Sequence, residues 1–174
     1  MITLEEAKAW LNARKEEGAH CPCCGQFAKI YTRKLNSAMA RDLIWLVKVS
    51  AVTEGEWVDV STLGPISLQR SRELAKLVHW GLVECKNEES TRGGRTSGIW
   101  RPTKRGIQFA FNKIPVAKYV RLYDGCFLSF PPDRGMTTIR EALGNHFDYQ
   151  ELLAPDPDKW IQKRQNLGLF SPPS

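Results

Sequence analysis

The sequence predicts an α+β chain, and three observations carry that prediction. Apolar residues recur at helical spacing over residues 38–51 and again from Leu68 to Val78. Short apolar runs, Leu82-Val83 and Ile99-Trp100, flank a polar loop rich in Gly and Arg at residues 87–98. Asp124-Gly125 stands between alternating apolar runs, the strongest short-range signal for a β-hairpin.

Taken in order, residues 3–17 form an amphipathic helix. Thr3 is its cap, with Glu6 three residues on as a capping box requires, and Gly18 is its end. Leu4, Ala7, Trp10, Leu11 and the stem of Arg14 make a stripe expected to pack on the main domain. After Cys21-Pro22-Cys23-Cys24-Gly25, residues 27–31 alternate as a strand does. A basic link, residues 32–36, leads to a helix from Ala38 to about Ala51, capped by Asn36 or Ser37. Met39, Leu43, Leu46, Val47 and Ser50 share one face, and Ile44, Trp45 and Val49 widen it. A helix apolar over so much of its circumference lies between layers.

Residues 57–60 read as a short strand. Residues 61–65 are short for a second helix, because the residue before Pro65 does not easily stay helical and the proline starts a new turn, which predicts an abbreviated helix or a single helical turn. Ser67 is expected to cap the next helix, which runs with Leu68, Leu74, Leu77 and Val78 inward and breaks at Gly81. Thr103 caps a helix to Asn112 that buries Ile107, Phe109, Ala110 and Phe111, and Ile114-Pro115 ends it. The hairpin spans residues 118–130, with Tyr119, Arg121 and Tyr123 on one face and Val120 and Leu122 on the other. Thr137 or Thr138 caps Ile139–Leu143, Gly144 closes it, and residues 147–153 give a last turn or two. A tail rich in Pro and polar residues begins at Pro155, with Trp160 as its anchor.

The order of helix, Gly81-Leu82-Val83-Glu84 strand, basic loop, returning strand and Thr103-x-x-Gly106 resembles the winged helix-turn-helix DNA-binding fold. The architecture this implies is a winged core at 37–113, preceded by a helix and knuckle-like hairpin at 1–36. A β-hairpin with short helices follows at 114–154, packed on the core, and the tail occupies 155–174. The resemblance implies a recognition helix in the major groove and a hairpin wing on the backbone. Gln69, Arg70, Arg72 and Lys76 would approach the groove, since Arg suits guanine and Gln suits adenine. Lys86, Arg92 and Arg95 would hold phosphate, with glycines letting the loop tip lie close. Glu88 and Glu89 depart from that pattern.

Cys21-Pro22-Cys23-Cys24-Gly25 matches the Cys-Pro-x-Cys-Gly zinc knuckle. Two thiolates three residues apart can grip one Zn²⁺ when the loop turns tightly, and Gly25 supplies the positive φ. The resemblance implies structural zinc on Cys21 and Cys24, with Cys23 pointing away. Zinc takes four ligands and the chain has no second Cys-x-x-Cys. Cys85 and His79 are candidates to complete the site; a dimer is another route. The alternative is a turn held by packing, without metal.

Nearly all of the net charge of +6 sits in one place: residues 67–106 carry nine basic side chains against four acidic ones. That concentration favours a polyanionic partner, with DNA ahead of RNA. Five cysteines without a disulfide spacing predict a reducing, cytoplasmic setting. No eighteen-residue apolar run and no secretion signal stand out, so no membrane partner is expected. No phosphate-binding Gly loop, Ser/His/Asp set or paired carboxylates emerge, which predicts that the protein is not an enzyme.

Residues 21–36, the run HWGLVE at 79–84, SGIWRPT at 97–103, LYDG at 122–125 and IREALGNHFDY at 139–149 together resemble a group of phage and prophage proteins. That likeness brings context and no activity. The expected role is a DNA-binding regulator or accessory factor of phage type. The alternative is an interaction module for a host or phage protein, which the six tryptophans would suit.

Overall fold

The computed structural model describes residues 2–86 and 98–154. Helix and sheet are mixed along the chain, which divides into two compact units. One comprises residues 1–34 and 117–136, the other residues 35–116 and 137–174. The grouping of residues 114–154 as a single segment therefore gives way to a division in which the hairpin belongs with the N-terminal residues.

In the first unit, helix α1 (Leu4–Arg14) starts at a full capping box: the Glu6 N–H donates to Thr3 Oγ1 (3.2 Å), and the Thr3 N–H donates to the Glu6 carboxylate (2.8 Å). Only Ala7 of α1 is buried; Leu4 is exposed, and the Arg14 guanidinium lies 4.5 Å from the centre of the Trp10 ring. Strands β1 (Ala19–His20) and β2 (Phe27–Ala28) form a small hairpin around the cysteines. Strand β3 (Ile30–Lys34) pairs antiparallel with β8 (Tyr119–Tyr123) along its whole length, and β8 pairs with β9 (Cys126–Ser129). Asp124 and Gly125 turn between them, both at positive φ (51° and 71°), as a tight two-residue hairpin requires. The register puts Tyr119, Arg121 and Tyr123 on one face and Val120 and Leu122, both buried, on the other.

The second unit is built around α2 (Ser37–Val52). The Asn36 side chain accepts from the Met39 N–H (2.9 Å) at its start. Met39, Ala40, Leu43, Ile44, Leu46, Val47 and Val49 are all buried, so the helix is enclosed as its apolar circumference predicts. It packs on β6, α5, α6, α7 and a 3₁₀ helix, elements defined as follows. After α2 come β4 (Val58–Asp59), α3 (Val60–Leu63), α4 (Ile66–Ser71) and the 3₁₀ helix Leu74–Trp80. Next are β5 (Val83–Cys85), β6 (Ile99–Pro102) and α5 (Lys104–Ala110). The three strands form an antiparallel sheet in the order β4-β6-β5. Strand β7 (Val116–Ala117) pairs with β10 (Met136–Thr137). Helices α6 (Ile139–Leu143) and α7 (Tyr149–Leu153) follow, each with a side-chain cap, from Thr138 and Asp148.

A close approach fixes α5 against the sheet. Thr103 caps α5 by accepting from the Gly106 N–H (3.0 Å). Its hydroxyl donates to the Gly81 carbonyl (2.6 Å), and its N–H donates to the Leu82 carbonyl (3.0 Å). A Cβ on Gly106 would sit 2.0 Å from that Leu82 oxygen, so only glycine fits.

Candidate nucleic-acid interface

The chain before α4 is Gly64-Pro65, and proline's fixed φ (−62°) places it as the residue that leads into the helix. Helix α4 therefore begins at Ile66. Ser67, expected as its cap, is the second helical residue, and no side chain caps this end. The expected continuous helix through to Gly81 is also not formed. Arg72 takes a left-handed conformation (φ 53°) that ends α4, and the chain resumes as the 3₁₀ helix before Gly81 (φ 67°) closes it.

The break has a tertiary cause. Asp42 of α2 is buried, and its carboxylate accepts from the Ser71 hydroxyl (3.1 Å) and from Arg41 (2.6 Å). The Leu68 carbonyl, also 3.1 Å from Ser71 Oγ, shares that single hydroxyl proton, and the Glu73 N–H donates to Ser71 Oγ (3.4 Å). Burial pushes the Asp42 carboxyl up from its ordinary range, while Arg41 and Ser71 oppose the shift. Anchoring Ser71 to this buried group holds the reversal, which a non-glycine residue otherwise adopts at a cost of about 1–2 kcal/mol.

The reversal leaves Arg70 and Arg72 exposed, one on α4 and one at its end, with no ion pair among the described residues. Other polar and basic side chains of this stretch, Gln69 and Lys76 among the expected contacts, are committed internally. The Gln69 amide donates to the Gly64 carbonyl (2.7 Å), and the Lys76 ammonium is paired with Glu73. Glu73 also accepts from Asn36 (3.1 Å). Arg101 pairs with Glu84 (2.7 Å) and lies over the Trp57 ring (4.4 Å). Lys86 is exposed beyond β5, its N–H donating to the Ile99 carbonyl (3.0 Å). Arg92 and Arg95, with Glu88 and Glu89, lie outside the described residues, as does Trp160.

Two further basic residues were not singled out from sequence as contacts. Lys104 and Arg105 are exposed in the first turn of α5, where no acidic residue accompanies them. Cations there run against the helix dipole. The signal was available: Lys-Arg directly after a Thr cap is the reverse of what helix stability favours. Beside α4 lies a concavity of about 410 Å³ whose lining includes Arg41, Asp42, Trp45, Lys48, His146 and Glu151, so it carries charge of both signs.

In the first unit the cysteine turn is well defined. The Cys21 N–H donates to the Gln26 carbonyl and the Gly25 N–H to the Cys21 carbonyl, both at 2.8 Å, with Gly25 at φ 73°. The backbone N–H groups of Cys24 and then Cys23, followed by the Cys24 thiol, are directed at the Cys21 sulfur and hold its pKa below the ordinary thiol range. His20 Nδ1 is 3.0 Å from the Gly25 carbonyl, which occupies that nitrogen.

Cys85 and His79 lie in the other unit. Every cysteine and histidine of the chain falls within the described residues, and among those residues no group of three or more His, Cys, Asp or Glu is gathered to hold a metal.

Among the described residues no helix is long and apolar enough to cross a membrane. Comparison with family models, with curated proteins and with solved structures gives no match to this chain.

Proposed function

We propose that the second unit is a winged-helix module that binds duplex DNA, without catalysis, as a regulator or accessory factor of phage type. The order helix, strand, helix, helix, strand, strand and the sheet order β4-β6-β5 support this reading. The observation that carries it is the exposure of Arg70 and Arg72, with no ion pair among the described residues, in the stretch that holds most of the chain's net positive charge. Gln69 and Lys76 contribute less than the sequence led one to expect, because each already has a partner. Lys86, Arg92, Arg95, Lys104 and Arg105 complete the basic set for phosphate.

Helix α4 has six residues, so at 1.5 Å per residue it is about 9 Å long. Duplex DNA rises about 3.4 Å per base pair, so such a helix reaches roughly three base pairs. Most of the binding free energy would then come from phosphate contacts, with a short sequence preference.

The test is a fluorescence-anisotropy titration against duplex DNA, single-stranded DNA and RNA at two salt concentrations. Duplex binding should weaken steeply with salt. Arg70→Ala with Arg72→Ala should lower the salt slope by about one unit for each phosphate the two side chains neutralise. Unchanged affinity and slope in that variant would remove the assignment.

A second reading, a docking platform for a host or phage protein, draws on Ile66 and Val78. These are 65% and 44% exposed on α4 and the 3₁₀ helix, where a DNA reader would place polar side chains. Absence of duplex binding at low salt, with capture of a partner that Ile66→Asp abolishes, would favour it.

A further inference from the structure

We infer that Cys21 and Cys24 are half of a tetrahedral Zn²⁺ site that a second copy of this chain completes, so that zinc joins two protomers through their β1–β2 hairpins. The turn has the form such a half-site needs. The β1–β2 pairing brings Ala19 opposite Ala28 and His20 opposite Phe27, and Gly25 lets the chain reverse within the Cys-x-x-Cys spacing. Cys21 and Cys24 face the same concavity, and the Gly25 N–H donates to the Cys21 carbonyl (2.8 Å), which folds the four residues back on themselves. Two sulfurs on one such turn can occupy two corners of one tetrahedron.

The remaining two corners are not supplied by the same hairpin. His20 holds the Gly25 carbonyl through Nδ1, and neither His20 nor Cys126, in the same unit, joins the pair into a group of three. The segments at 87–97 and 155–174 contain no cysteine or histidine. A structural zinc site is closed by protein ligands, overwhelmingly sulfur and nitrogen. A two-fold axis through the metal supplies two more thiolates of the same kind at no further demand on sequence, because in such an interface the same patch serves both copies.

The surroundings suit a second copy. Cys21 and Cys24 line an open concavity of about 310 Å³. Phe27 and Tyr31 line it too, and they are 48% and 57% exposed, an unusual concentration of aromatic surface beside two thiols. Lys29 and Asp124 belong to the same concavity. In a two-fold arrangement residues at the axis meet their own counterparts and a residue off the axis meets a different one, so Lys29 of one protomer can face the Asp124 position of its partner. A patch with one charge of each sign is self-complementary in this sense, whereas a single-sign patch would repel its copy.

The experiment is light scattering coupled to size exclusion on the full chain in a non-thiol reductant, with metal analysis of the eluted peak. In a stepwise Zn²⁺ titration the mass should double from the 19.8 kDa of one chain. Metal analysis should find one zinc per two chains, and a chelator should restore the monomer. Cys21→Ser with Cys24→Ser should stay monomeric at the same zinc concentration, with a far-UV spectrum matching wild type, while Cys126→Ser should dimerise normally. Should the double variant fail to fold, the zinc and chelator steps on the wild-type chain decide alone.

Three results would each overturn the inference. One is a monomer that holds one zinc per chain, released by Cys85→Ser or His79→Ala. Another is a chain that retains no zinc. The third is a dimer indifferent to both chelator and Cys21→Ser. None of these outcomes depends on whether the second unit binds DNA.

Discussion

Replacing Gly106 by alanine tests the contact that locks α5 onto the sheet. The added Cβ would lie 2.0 Å from the Leu82 carbonyl oxygen and 2.9 Å from its carbon. Ordinary contact begins near 3.4 Å, so helix and strand would have to part by ~1.4 Å, and both obstacles are backbone atoms that no rotamer change can move. Such a shift would break the bond from the Thr103 N–H to Leu82 and strain the one from its hydroxyl to Gly81. Overpacking of this kind costs about 1–3 kcal/mol. Each hydrogen bond adds about 0.5–1.5 kcal/mol. Alanine returns about 1 kcal/mol through its better helix propensity. The net expectation is a loss of about 1–5 kcal/mol, or a fall in Tm of roughly 2–20 °C for a chain of this size. Thermal and urea unfolding followed by circular dichroism would measure it. A Gly106→Ala variant as stable as wild type, or more so, would show that helix and strand are not held by this approach and that propensity decides the position.

Three further outcomes are expected. Burial acts to raise the Asp59 carboxyl, but its hydrogen bonds with Ser61 and Thr62 outweigh this and hold it below its ordinary range. The contribution of this α3 cap is therefore complete above the normal aspartate range and fades as pH falls through the folded value. Asp59→Ala should cost about 1 kcal/mol near neutrality. That difference should narrow in acid, as urea unfolding across a pH series would record. Asp42 has the opposite sign: burial raises its folded value, so what it contributes is full below the normal aspartate range and is lost as pH rises through the folded value. Asp42→Asn should flatten that dependence, gaining on wild type between acid and neutral pH in the same unfolding series; a parallel pair of curves would contradict the burial argument. Tyr149 donates its hydroxyl to the Ala110 carbonyl (2.8 Å), so Tyr149→Phe should cost about 1–2 kcal/mol by leaving that oxygen without its donor, read as a lowered urea midpoint.

What was legible in the sequence is what short-range chemistry decides. Thr3, Asn36, Thr103 and Thr138 cap the helices they precede, because a side-chain oxygen two or three residues before an N–H needs nothing from the rest of the chain. Asp124-Gly125 turns for the same reason. The single turn at α3 follows from Pro65. What was not legible depends on distant partners. Nothing in residues 67–82 announces the break at Arg72, because the group that holds Ser71 is Asp42, a buried carboxylate on another helix. The commitment of Lys76 to Glu73 could have been suspected from their i, i+3 spacing, whereas that of Gln69 to the Gly64 carbonyl could not. The pairing of β3 with β8 is equally invisible locally, since both strands alternate and neither names its partner.

That last pairing sets an order of events during synthesis. The N-terminal strand β3 emerges from the ribosome long before β8, and the chain made in between, residues 35–116, belongs to the other unit. Until Tyr119–Tyr123 has been translated, the hydrogen-bonding groups of Ile30–Lys34 have no native mate, and Tyr31 stands beside them as a ready surface for wrong associations. A nascent chain stalled after Val116 would carry its later-closing unit only as a helix, a small hairpin and a loose strand. The second unit can collect most of its core first, so pulse-labelled or arrested chains should gain protection at Leu43 and Leu77 before they gain it at Ile30.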